Sequence, residues 1–390
     1  MNSLSSRTRT QSTRGALLAA VLFCGCSGLK LEGTLRSGPS DWTMFAGKET
    51  RVNSTRDTVP PPLTLDWQYD ISGGIGNGSP LIVDSVLMIG NLRGELHAIN
   101  AFTGKRLGWV DLGDAIQGSP VIDGEVAIVA LSNTELSLVG FDLVRGKPQW
   151  RKDYGDIESS PLLFHQKVFV GNVDGVFYCL ERTTGDMMWK YELPDNSRHN
   201  GIRTSAAGID SVITFGGQDG FLYSLNAESG RLCWRSNTGG SITGSPCIAD
   251  QTVYVGNLGG TVCAFDLRSG KPRWKFETGA SIYASVSFSG NRIFVGTTGG
   301  LMYALDAASG TEAWKADLGG VINSGALIAG NTLYVGTLKK MLFGLRTTDG
   351  TVVFKEEVPG RVKTSPAVAH GRLFVATDEK LILSYRSAIP

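Results

Sequence analysis

Apolar and polar positions follow one another along most of this chain in short bursts that never settle into a helical period. The stretch PCIADQTVYVGNLGGTVCAFDLRSGKPRWKF, residues 246–276, sets out the pattern: apolar runs PCIA, TVYVG and TVCAFD, then the Trp-bearing PRWKF. Runs of this length, rich in Val, Tyr and Phe and bounded by Gly, Asp, Asn and Ser, predict β-strands. The breaks carry what tight hairpins need. IDGEV, IAGNT and FSGNR fill the first turn, GNVDG and GGQDG the second, and TTGDM, ESGRL and ASGTE the third. Gly recurs there because it enters positive φ at no steric cost.

The unit returns at a fixed interval. Equivalent segments begin at Pro80, Pro120, Pro161, Ala206, Pro246, Val286, Ala326 and Pro366, spaced 40, 41, 45, 40, 40, 40 and 40 residues. In step with them stand Trp67, Trp109, Trp150, Trp189, Trp234, Trp274, Trp314 and Phe354, the last seven each four or five residues after a Gly. A period of this size marks a repeat architecture, and four short antiparallel strands per repeat make a β-propeller blade. The aromatics are expected to be structural, packing each outer strand against the neighbouring blade and burying a large apolar area in every seam. The eighth repeat supplies three strands, and its missing outer strand is present around Trp67. The expected fold is all-β: an eight-bladed β-propeller of four-stranded antiparallel blades over 63–390, closed by an N-terminal strand that removes a free sheet edge.

Charge and the N-terminus add location. With 37 Lys and Arg against 36 Asp and Glu the formal charge is +1, and no basic stripe stands out, so nucleic acid is not an expected partner. Arg7, Arg9 and Arg14 precede ALLAAVLF, and the first acid is Glu32. That predicts a signal peptide over 1–25, too short to span a membrane. Its end, FCGCSG, resembles the lipobox of bacterial lipoproteins, with Cys26 as the lipidated residue and Cys24 as a second candidate. An ordinary cleaved signal with a soluble product is the alternative. Residues 26–62 read as lipidated Cys and tether, ending in Val59-Pro60-Pro61-Pro62, which favours a stiff, extended entry. The out-of-register Trp42 is expected to dock on the outside of the propeller.

Chemistry is sparse. His97, His165, His199 and His370 are the only histidines, and none stands at ligand spacing from another His or from a carboxylate. GxSxG and HExxH are absent, so no catalytic residue and no metal site is assigned. Asp142, Asp266, Asp306, Asn100, Glu181 and Asn226 recur after the third strand, where such side chains hold the following turn. Cys179, Cys233, Cys247 and Cys263 lie at no metal-like spacing; a disulfide or buried free thiols are both compatible with the pattern.

The repeat VYVGNLGGTVCAFDLRSGKPRWKF resembles the pyrroloquinoline-quinone-type propeller repeats, over nearly all of 63–387. In the quinoprotein dehydrogenases that likeness implies a vicinal Cys pair over the cofactor, a calcium-ligating set and an Asp base. This chain has no Cys-Cys dipeptide, so no cofactor is expected. The lipobox, the short tether, SGGIGN after Trp67 and the closing LILSYRS resemble more nearly the BamB family of outer-membrane protein assembly factors. That resemblance implies a non-enzymatic, monomeric scaffold, lipid-anchored in the outer membrane and facing the periplasm. Its implied partners are the periplasmic domains of the barrel-forming assembly subunit and nascent outer-membrane proteins. The one long interval holds LPDNSRHNGIRTS, and a longer loop in a regular ring suits a partner contact. Ile202-Arg203 resembles the Leu/Arg pair with which the family docks that subunit; a solvated loop is the alternative. The family's second, acidic contact has no counterpart in SITGSP. A quinone-dependent oxidoreductase and a propeller binding an envelope polysaccharide or peptide are the rival readings.

Overall fold

A computed structural model describes residues 28–132, 136–194 and 201–389 of the chain. Among these residues the secondary structure is all β, and eight four-stranded antiparallel blades stand in a ring. In the fifth blade, Cys247–Ala249, Thr252–Gly256, Thr261–Asp266 and Pro272–Glu277 follow one another outward from the axis. The inner three strands are almost wholly buried, and only the outermost alternates exposed and half-buried positions. That is the pattern of a strand with one face on a neighbouring sheet and one in water. Leu63–Asp70 pairs antiparallel with Leu381–Ser387 and closes the ring in the eighth blade.

The recurrent Trp sits on a recurrent bulge. Where third and fourth strands pair, the outer strand skips one residue just before the aromatic, as at Ala304↔Trp314 then Leu305↔Glu312. A bulge re-aims the side chain beside it, here onto the next blade. A Cβ on Gly270 would stand 2.5 Å from the Trp234 ring, one on Gly310 2.5 Å from Trp274, and one on Gly350 2.6 Å from Trp314. These glycines have φ of 68–74°, so they serve both the turn and the close approach. Trp234 Nε1 donates to Leu267 O at 2.8 Å, and Trp274 Nε1 to Ala307 O at 3.0 Å, on the same turns. Trp67, Trp150 and Trp189 lie likewise against Gly104, Gly185 and Gly230. Phe354, partly buried, packs against the eighth blade's cluster.

Trp109 departs from the expectation. In the first blade Gly108, not Trp109, is the partner of Ala98 at the aromatic position. An offset of one residue sends a strand side chain to the opposite face, so Trp109 leaves the seam between blades one and two. Its ring lies 6.1 Å from that of His97, at 17°. The vacated place is filled from the N-terminal segment. Leu29 is fully buried, a Cβ on Gly108 would meet Gly28 O at 2.8 Å, and Gly146 faces Leu29 O where its sister glycines face a Trp. Leu31 N donates to Leu143 O at 2.7 Å.

From there the segment runs over one end of the ring. Trp42, 3% exposed, pairs with Ile82 of the first blade's innermost strand, so it is not on the outer surface as expected. Farther on, the carbonyls of Glu49, Thr50, Val52 and Asn53 accept from Gly208, Ile248, Phe288 and Ile328, on the innermost strands of four successive blades. Left-handed backbone at Arg51 and Asn53, φ 58° and 53°, turns those carbonyls outward. Ser54–Thr55 then adds a parallel strand to Leu327–Ala329. The described part of the expected tether is thus a strap that covers the inner sheet edges. Gly108→Trp should restore the missing ring and expel the strap's start. Amide exchange at Leu31 would rise at least tenfold; unchanged exchange would mean that Leu29 does not depend on the glycine gap.

Candidate functional site

The strap leaves a cavity of about 300 Å³ on the propeller axis. Its floor is Phe45. The Arg51 guanidinium stacks on that ring at 5.6 Å and donates to the carbonyls of Ala206, at 2.9 Å, Phe45 and Pro161. Arg51 is 1% exposed, and burial lowers its pKa to about 9, with Glu49 opposing the shift. The guanidinium is a tie between strap and ring, held by carbonyl dipoles rather than by a buried carboxylate. The cavity wall is a circle of serines. The amide of Ser119 donates to Ser160 Oγ, that of Ser160 to Ser205 Oγ, that of Ser205 to Ser245 Oγ and that of Ser245 to Ser285 Oγ, at 2.9–3.0 Å. Where Gly325 breaks the circle, Asn53 Nδ2 reaches Ala326 O at 2.6 Å.

The mouth of the cavity is formed where each outer strand crosses to the next blade. There Ile75, Ile116, Ile157, Ile202, Ile242, Ile282, Ile322 and Val362 all turn inward and are buried. A Cβ on Gly171 would come within 2.3 Å of Ile202, as one on Gly216 would within 2.4 Å of Ile242. Ile202 is therefore a repeat core residue, and its side chain is fully buried within the ring. The extra residues of the long interval precede it, and 195–200 lie outside the described residues. The signal was available in sequence: Ile202 stands three residues before Ser205, as Ile242 does before Ser245.

The residue after six of these apolar anchors, Arg203 among them, lines the mouth instead. It bridges to Glu158 and its Nε lies 3.3 Å from Gln218 Oε1. Tyr283, 46% exposed, and Lys363, 3.6 Å from Asp378, complete a polar rim with one aromatic on it. Thr243 and Ser324 line the same space, and their hydroxyls are buried without a partner. The arrangement offers hydrogen bonds, charge and one ring to a surface pressed against it. Among the described residues no three His, Cys, Asp or Glu side chains converge as a metal site would require.

A second polar cluster was missed by sequence reasoning. His97 does meet a carboxylate: its Nε2 lies 3.3 Å from Glu95 Oε2, and Tyr69 OH lies 3.1 Å from its Nδ1. Residues two apart on a strand share a face, which is the signal that spacing rules for metal motifs pass over. Asn91 Nδ2 donates to Glu95 Oε2 at 2.6 Å. Burial lowers the His97 pKa, with Glu95 opposing it, so the ring is neutral at pH 7. Burial raises that of Glu95, yet the hydrogen bonds from Asn91 and His97 win and lower it. His370 Nε2 lies 3.1 Å from Asp41 Oδ1 and ties the eighth blade to the strap, while His165 stacks on Phe164 at 3.9 Å. His199 lies outside the described residues. Cys179, Cys247 and Cys263 are buried free thiols, and Cys233 is an exposed one. Asp142, Asp266 and Asp306 each accept the amide three residues on, at 2.7–2.9 Å, as turn-holding residues do.

A family described as outer membrane protein assembly factor BamB matches residues 62–191, 192–298, 259–324 and 298–388. The chain is similar to the assembly factor BamB of Legionella pneumophila (strain Paris), 29% identical over 192 residues, which are 46% of this chain and 48% of that protein. It is also similar to the dehydrogenase subunit of a quinone alcohol dehydrogenase of Gluconobacter oxydans (strain 621H). The identity there is 29% over 215 residues, 50% of this chain and 24% of that protein. The chain thus spans about half the length of the first relative and a quarter of the second. Among solved structures BamB of Moraxella catarrhalis superposes with a TM-score of 0.72 at 18% identity, covering 83% of this chain and 99% of that one. At that identity the likeness is one of fold.

The His97 cluster has a pH signature. Its pKa in the folded chain lies below the ordinary 6.5, so below pH 6.5 the unfolded chain takes up a proton that the native one refuses. Stability should fall as pH drops from 6.5 and level off below the folded pKa. The contribution of Glu95 is lost only lower, below its ordinary 4.5. Replacing His97 by Gln should flatten the upper limb in urea titrations; an identical slope in both proteins would remove His97 from the account.

Proposed function

The chain belongs to the family described as outer membrane protein assembly factor BamB, and from that membership we propose that it is a non-enzymatic scaffold of the machinery that assembles β-barrel proteins. In this reading Cys26 carries a lipid anchor at the outer membrane, and the propeller faces the periplasm. The observation that carries it is the family match, which runs from residue 62 to residue 388, through every blade. The docking surface is the mouth of the axial cavity together with the long linker before Gly201. Arg203 is its anchor, since a guanidinium at a rim already polarised by Glu158 forms forked hydrogen bonds with a partner carboxylate. Ile202 supports it from below.

The likeness to quinone alcohol dehydrogenases favours a second reading, an oxidoreductase built on the same ring. The residues present do not fit that cofactor. The chain has no adjacent Cys pair, no metal-ligand cluster forms among the described residues, and Phe45 floors the axis. No reaction step is assigned to the site.

Two substitutions separate docking from folding. Arg203→Glu should lower capture of a large outer-membrane barrel protein with periplasmic domains by at least tenfold, with the melting temperature retained. Ile202→Ala should instead cost about 2–4 kcal/mol of stability by leaving a cavity, with capture intact in the folded fraction. Equal capture by Arg203→Glu and the parent protein would exclude this rim as the interface.

A further inference from the structure

We infer that the rim of blades one and two, where the strap emerges, is a contact surface for anionic membrane headgroups. The inference builds on the lipid-anchor reading for position, but it stands on two features of its own.

The first is where the chain is held. Gly28 lies against Gly108 of the first blade's outer strand, and Leu29 against Gly146 of the second. Two peptide units, at most about 7 Å of extended chain, separate Cys26 from Gly28. An anchor on Cys26 therefore leaves the propeller at this seam and at no other. Because Leu29 and Leu31 are buried, no long free spacer lies between the anchor and the ring.

The second is charge. Lys105 and Arg106 open the first blade's outer strand, Arg145 and Lys147 flank Gly146, and Lys30 of the strap lies across that glycine; all five are exposed. Arg145 is held to Asp142 at 3.2 Å. Among the described residues the other four take part in no ion pair, although Arg106 borders the pocket that holds Asp70, Glu95 and His97. Leu107, 42% exposed, follows Lys105 and Arg106 on the same strand. The outer strands VVFKEE of blade seven and LTLDWQYD of blade eight are mixed or acidic, while PRWKFE of blade five and LCWRSN of blade four are basic but lie away from the chain's exit. The cations of blades one and two are thus set apart by lying where the chain leaves the ring toward Cys26. These residues are scattered in sequence, which is why no basic stripe is legible there.

Several cations with an apolar residue among them, beside an acyl-anchored chain end, fit an anionic bilayer surface. Contact there sets the orientation of the ring: blades one and two toward the lipid, the opposite rim toward the aqueous side. The attraction acts only within a Debye length, roughly 8–10 Å at physiological ionic strength, and the short linkage keeps the rim within that reach.

The test uses the mature chain, residues 26–390 with Cys26→Ser, which carries neither a lipid nor the apolar signal segment, in flotation with vesicles. It should float with phosphatidylglycerol–phosphatidylcholine vesicles at low salt, stay unbound with phosphatidylcholine alone, and be released at about 0.5 M salt. The triple substitution Lys105→Glu, Arg106→Glu, Lys147→Glu should lower binding at least fivefold. A matched triple on other blades, Lys271→Glu, Lys275→Glu, Lys315→Glu, should lower it less than twofold. Equal binding to both vesicle types, or equal loss in both triples, would overturn the proposal. Either result leaves the capture experiment, and so the scaffold reading, as it stood.

Discussion

One contact, repeated around the ring, sets the geometry of the rest: an indole laid on a glycine of the next blade. A blade of this size cannot bury its faces alone, so stability comes from the seams between neighbours. The glycine admits the flat ring at van der Waals distance while holding a positive φ that the turn requires, and the indole N–H satisfies a turn carbonyl in most seams. Apolar burial and a directional hydrogen bond fall on the same spot. The bulge before each Trp fixes which face of the outer strand carries it, and hence which neighbour it meets.

The same rule makes the exception informative. At the first outer strand the aromatic is one residue late, the seam would open, and the chain's own N-terminal segment fills it with Leu29. That segment then spends its carbonyls on the inner edges of four blades and seats Phe45 and Arg51 across the axis. A propeller with two accessible ends becomes one with a single accessible end, facing the linkers that join the blades. The surface offered to a partner is thereby limited to the mouth of the cavity and the outer rim.

The repeat period, the strand count and the closing strand at Trp67 were legible in the sequence, because each is a local pattern multiplied by eight. The strap was not, since its contacts are long-range backbone hydrogen bonds and a buried Arg51, neither of which leaves a periodic trace. Trp109 misled because the spacing of four or five residues from Gly104 was treated as one class, whereas a strand distinguishes odd from even. Ile202 misled for a related reason. It was read as part of an insertion, although its distance to Ser205 places it in the regular repeat. Arg203, one residue later, does reach the mouth. His97 and Glu95 escaped notice because their pairing depends on shared strand faces, not on the spacing of ligand motifs.

The functional account rests on the accessible end of the ring being the working surface and the strapped end being closed. A photo-crosslinking residue at Tyr283, on the cavity mouth, tests this in intact cells against the same residue at Thr50, on the strap. The account predicts a crosslink to a barrel-assembly subunit from position 283 and none from position 50. Crosslinking to that subunit from position 50 alone would contradict it.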